Sequence, residues 1–158
     1  MIVAEVMKPE PSACSPDDSL RVAAQIMWER DCGSVPVTDR GGRAVGMITD
    51  RDICMAAYLR DMRLGECAIG EIMARPVVAC RPSDPIEKAE STMRQYRIRR
   101  LTVIDDTGHL VGVLSLNDLV LATPRPAIGR KARQQDEVLS TLATICEHRD
   151  RPPADTAR

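Results

Sequence analysis

The sequence predicts an α/β (α+β) fold: two copies of one β-α-β-β-α unit, followed by a single amphipathic helix. Three observations lead there. The chain repeats itself at a fixed interval of 66 residues without a gap. A glycine-containing apolar strand passes through a hydroxyl residue and an aspartate into a helix, once at 45–53 and again at 111–119. Between these corners the apolar residues recur at helical or alternating spacing.

The repeat pairs Glu5-Val6-Met7 with Glu71-Ile72-Met73, Cys14-Ser15-Pro16 with Cys80-Arg81-Pro82, and Val37-Thr38-Asp39 with Val103-Ile104-Asp105. In the first copy a short apolar stretch around Ser12, Ala13 and Cys14 leads to a turn at Pro16 and Asp17. Asp18 is placed to cap a helix carrying Leu20, Ala23, Ala24 and Met27 on one face. A strand at 34–38, a turn at Asp39-Arg40-Gly41-Gly42 and a strand at 44–48 form a hairpin, and a helix covers 50–58. In the second copy a strand at 77–80 precedes a helix opened by Asp84 at N-cap, Pro85 at N1 and Glu87 at N3. A hairpin of 101–104 and 110–114 and a helix at 116–122 complete it. One unit is too small to bury a stable core, so the two are expected to pack face to face.

The expected divisions are repeat one at 2–67, repeat two at 68–123, a linker at 124–134, a helix at 135–148 and a disordered tail at 149–158. The helix rests on the stripe Val138, Leu139, Leu142, Ile145 and Cys146.

Composition removes several function classes. With 44% hydrophobic and 28% charged residues the 158-residue chain reads as soluble, and no apolar run of 18 residues exists to cross a membrane. No basic and apolar leader opens the sequence, so a cytoplasmic location is expected. A net charge of −1 and an aromatic content of 2%, with no Phe, argue against nucleic acid. The six cysteines contain no C-x-x-C pair and only two histidines could join them, so no metal site is expected. Cys14 and Cys80, at equivalent repeat positions, read as small buried residues; a redox sensor on Cys32 or Cys67 is the competing reading. No catalytic residue can be named, because no Ser/His/Asp or Cys/His pairing is present.

Thr49-x-x-Asp52 and Ser115-x-x-Asp118 each satisfy the capping-box pattern, which alone would account for them. Their recurrence at the same strand–helix corner supports a second reading. That corner gathers a hydroxyl, a carboxylate and helix-start N–H groups, a set suited to a hydroxylated, phosphorylated ligand. The two readings are compatible.

The duplication, the two corners and the segment Arg97-Ile98-Arg99-Arg100-Leu101-Thr102-Val103 together resemble a tandem pair of CBS (cystathionine β-synthase) domains, the Bateman module. The resemblance covers residues 2–123, and Gly46-Met47-Ile48-Thr49-Asp50-Arg51-Asp52-Ile53 is most similar to stand-alone bacterial members. It implies pseudo-two-fold symmetry and a homodimer. It also implies a regulatory, non-enzymatic role in which an adenosine-containing ligand sits in clefts between the repeats. AMP, ADP or ATP is expected there, with S-adenosylmethionine, NAD or a cyclic dinucleotide as further candidates, and no obligatory cofactor.

By the same resemblance Thr49, Asp52, Ser115 and Asp118 would bind ribose, and Arg51, Arg99 and Arg100 phosphate. The base would lie against Ser12, Ala13 and Cys14 in one repeat and Val78, Ala79 and Cys80 in the other. Arg97, Arg99 and Arg100 also fit a solvated basic face or ion pairs with Asp105 and Asp106. Two departures stand out: Asn117 occupies the place of Arg51, and Thr102 that of Pro36, where proline is usual. Signals would pass to a separate, unknown protein partner. The alternative is a structural interaction module with vestigial pockets.

Overall fold

Alternating apolar residues build two hairpins, and each hairpin turns directly into a helix. The computed structural model describes residues 1–123 together with 141, 142, 144 and 145. Strand β1 is Lys8–Pro9, helix α1 Leu20–Glu29, β2 Ser34–Thr38, β3 Ala44–Thr49 and α2 Asp50–Arg60. The second half follows with β4 Ala79–Cys80, α3 Ile86–Tyr96, β5 Arg100–Ile104, β6 Leu110–Ser115 and α4 Leu116–Ala122. The two expected repeats are present, each with its hairpin and two helices. The expected helix at 135–148 lies mostly outside the described residues, its four described positions being helical. The expected linker and tail lie wholly outside them.

The cores repeat with the sequence. Helix α1 buries Leu20, Ala23 and Met27, and α3 buries the equivalent Ile86, Ala89 and Met93. Beneath them lie Val35, Val37 and Ile48 in one unit and Leu101, Val103 and Leu114 in the other, each at most 1% exposed. Burying one such side chain contributes about 1.5–3 kcal/mol.

Each core is completed by the other repeat. Val3, with Val6 and Met7 against it, belongs to the second unit's core, whereas the equivalent Ile69 and Met73, with Ile72 against them, belong to the first's. Strand β1 pairs with β6 through Lys8↔Val113, and Ala74 pairs with Met47 of β3 at the matching position. Main-chain bonds follow suit: Val3 N–H donates to the Asp84 carbonyl at 2.9 Å, and Ile69 N–H to the Asp18 carbonyl at 2.8 Å. The crossing explains the glycine in each hairpin. A Cβ on Gly46 would stand 2.5 Å from Met73 Sδ, and one on Gly112 2.6 Å from Met7 Sδ.

The hairpin tips also meet. Ala44 N–H donates to the Gly108 carbonyl and Leu110 N–H to the Gly42 carbonyl, both at 3.1 Å. Because 42 and 44 correspond to 108 and 110, this reciprocal pair marks a pseudo-two-fold axis. Gly42 and Gly108 sit at φ +81° and +86°, a region other residues enter only at a cost.

The starts of α1 and α3 differ from expectation by one residue. The N-caps are Ser19 and Pro85, not Asp18 and Asp84. Each aspartate closes the preceding turn instead, Asp18 accepting from Ser15 N–H at 2.8 Å and Asp84 from Arg81 N–H at 2.9 Å. Among the described residues no helix is long and apolar enough to cross a membrane.

Candidate functional site

The two corners have the same local structure. Thr49 ends β3 in extended backbone and caps α2; its Oγ1 accepts from Asp52 N–H at 3.2 Å. Asp52 Oδ2 in return accepts from Thr49 N–H at 2.9 Å and from Thr49 Oγ1–H at 2.7 Å. At the second corner Ser115 Oγ accepts from Asp118 N–H at 3.2 Å, and Asp118 Oδ2 accepts from Ser115 N–H at 2.8 Å and its hydroxyl at 2.5 Å. Both are therefore working capping boxes. The cap uses one carboxylate oxygen of each aspartate and leaves Oδ1 outside it, so capping and ligand binding do not compete for the same atom.

Two cavities flank these corners, and each joins the repeats. The first, about 430 Å³, combines Ser12, Cys32 and Pro36 of repeat one with Ser115, Asn117 and Asp118 of repeat two. The second, about 320 Å³, combines Thr49, Asp50 and Arg51 with Val77, Val78 and Thr102. Arg99 and Arg100 line both.

The expected site residues fall out unevenly around these cavities. Thr49 and Arg51 line the second cleft, while Asp52 stands behind Thr49, bonded to it. Ser115 and the nearly buried Asp118 line the first. Ser12 and Val78 supply the opposite walls. Ala13 and Ala79 are half-buried beside those walls, and the Cys14 and Cys80 side chains point into the two cores. Burial pushes both thiols up to about 11, with Asp18 and Asp84 adding to the effect, so they are neutral near pH 7. Among the described residues no cluster of His, Cys, Asp or Glu could hold a metal ion.

The electrostatics favour an anion. Burial lowers the pKa of the Arg100 guanidinium, and the adjacent Arg99 lowers it further, against opposing pulls from Asp50, Cys32 and Asp118. An arginine stays charged regardless. Two adjacent cations lining both cavities would gain from phosphate oxygens, which guanidinium groups bind in bidentate fashion. Gly33 makes room for this arrangement. A Cβ there would lie 2.8 Å from Asp50 Oδ2 and 3.0 Å from Arg100 Nη2.

Asp50, Gly33, Lys8 and Arg30 are cavity-adjacent residues that sequence reasoning did not single out. For Asp50 and Gly33 a signal existed: both break the repeat, against Leu116 and Arg99.

The fold is thus a duplicated α/β pair with two inter-repeat cavities at its strand–helix corners, a tandem two-repeat module. The CBS-domain family model matches residues 3–58 and again 69–124, and the chain belongs to that family. It is similar to the CBS domain-containing protein YhcV of Bacillus subtilis, at 33% identity over 119 residues, covering 75% of this chain and 83% of YhcV.

Among solved structures it is similar to the CBS domain pair of protein MJ0100 in complex with 5-methylthioadenosine and S-adenosyl-L-methionine (27% identity, TM-score 0.69, 75% of this chain, 92% of that one). It is also similar to protein PAE2072 of Pyrobaculum aerophilum complexed with AMP (26% identity, TM-score 0.69, 87% of this chain, 99% of that one). Several enzymes match too, but the chain spans less than a quarter of their length.

Proposed function

We propose that the chain is a non-enzymatic, cytoplasmic regulatory module that binds an adenosine-containing ligand, most simply AMP, ADP or ATP, in its two inter-repeat clefts. Asp118 and Asp52 hold vicinal ribose hydroxyls through their uncommitted carboxylate oxygens, with Ser115 and Thr49 beside them. Arg51, Arg99 and Arg100 take the phosphates, and the base lies along the segments Ser12–Cys14 and Val78–Cys80. The observation that carries this reading is the convergence of Arg99 and Arg100 on both clefts, together with Ser115 and Asp118 in the first and Thr49, hydrogen-bonded to Asp52, in the second. The bound adenosine compounds of its structural relatives support the same ligand class.

Each cleft takes its walls from both repeats, so a ligand with unequal affinity for two inter-repeat arrangements shifts their populations. The output goes to a partner protein. Helix α2 leaves Met55, Tyr58 and Leu59 exposed, at 41, 78 and 72%, on the spacing of one helical face, which suits a homodimer contact.

The test is a thermal-shift panel of AMP, ADP, ATP, S-adenosylmethionine, NAD and a cyclic dinucleotide on wild type, Asp52→Ala and Asp118→Ala. A ligand at 100 times its Kd adds about 2.7 kcal/mol. A shift that one variant abolishes assigns the ligand to that corner. No shift with any compound would sink the reading and leave a protein–protein interaction module.

A further inference from the structure

We propose that the Thr102 hydroxyl is a base-reading group of the second cleft, giving the two clefts different base recognition; this rests on the reading above that the clefts hold a purine nucleotide. Thr102 lies in the middle of β5, is 1% exposed and lines the second cleft. Among the described residues its Oγ1 is the buried side-chain polar atom that has no hydrogen-bond partner. A buried hydroxyl left unpaired is costly, and such groups are nearly always satisfied by something.

The position of Thr102 indicates what satisfies it. Its N–H donates to the Val78 carbonyl at 3.3 Å, and the residue pairs with Ala79, so it belongs to the expected base wall. Arg100, two residues earlier on the same face of the strand, lines the same cleft. In the first cleft the equivalent residue is Pro36. Proline has no N–H to give the Ser12 carbonyl and no hydroxyl to give a ligand. The first wall thus offers a carbonyl acceptor at Ser12, and the second offers a hydroxyl that can both donate and accept. A hydroxyl at this place engages the polar edge of a purine.

The test is calorimetric titration of AMP into wild type, Thr102→Val and Thr102→Ser, with the unliganded Tm of each. Valine keeps the shape and removes the hydroxyl. The expected result is an unliganded Tm equal to or above wild type, with AMP affinity at one class of site weakened about tenfold. Thr102→Ser should stay within a few-fold of wild type. If Thr102→Val does not fold, Thr102→Ala against Thr102→Ser gives the same comparison.

A folded Thr102→Val whose AMP isotherm superposes on wild type overturns the proposal. So does an equal loss at both sites accompanied by a lower Tm, which would mark a packing role. Wild type that binds no purine nucleotide removes the parent reading and this one with it, and is seen before any variant is made.

Discussion

The two clefts are equivalent by descent within the chain and different in what lines them. Both present a capped strand–helix corner opposite a wall from the other repeat, and both share Arg99 and Arg100. They differ where the repeat is broken: Asn117 against Arg51 and Pro36 against Thr102, while Asp50 lines the second cleft and its counterpart Leu116 does not line the first. The scaffold residues are duplicated and the lining residues are not. A duplicated fold can therefore keep two binding geometries while changing the chemistry of each independently.

The comparison breaks most completely at Arg100. Arg100→Ala should weaken any phosphorylated ligand in both clefts by roughly 10- to 100-fold, the range of a charged hydrogen bond. Titration that found one cleft unaffected would show the guanidinium is not shared. Next in size is the scaffold itself. Gly112→Val should cost about 1–3 kcal/mol by forcing the added methyls against Met7, and Gly46→Val a similar amount against Met73. Chemical denaturation reads both, and a difference of several kcal/mol between them would mean the two crossings are not equivalent.

A finer separation comes from the corners. Asp118→Asn should cost about 1 kcal/mol of stability through the weakened cap and reduce ligand binding in the first cleft alone. Asp52→Asn should do the same for the second. A two-site isotherm that changes identically in both variants would contradict the assignment of one corner to each cleft.

The smallest effect concerns Asp84. Burial raises its pKa, but the Lys88 ammonium and the Arg81 N–H outweigh burial and hold the carboxyl below its usual range. Its stabilisation is therefore present above the unfolded-state pKa and is lost as pH falls through the lower folded-state value. Lys88 is largely exposed, so Lys88→Met should cost under about 1 kcal/mol. Repeat one has Val22 at that position and no such ion pair. A Lys88→Met variant with an unchanged acid-unfolding midpoint would refute this account.

What the sequence made legible was local. The hairpins, their glycine turns and the strand–hydroxyl–aspartate corners follow from residues adjacent in the chain, and the repeat confirmed each against its copy. Asp18 and Asp84 misled because an acid ahead of an apolar run carries the signal of a helix cap; the backbone of the preceding turn claimed both carboxylates first. The meeting of Arg99 and Arg100 with Thr49 could not be read directly, since fifty residues separate the groups. The crossing of residues 2–9 onto the second unit was equally hidden, because backbone pairing identifies no partner by side chain.

That crossing has a consequence for how the molecule can be divided. Ile86 N–H at the start of α3 donates to the Met1 carbonyl at 3.2 Å, so the first residue of the chain seats a helix 85 positions downstream. Severing the connection between the repeats would not release two sound halves. Each would carry a leading arm fitted to its neighbour and an unfilled place in its own core. A chain with a single such repeat could become whole only by trading arms with a twin, and in that sense this protein is an arm-exchanged dimer joined into one polypeptide.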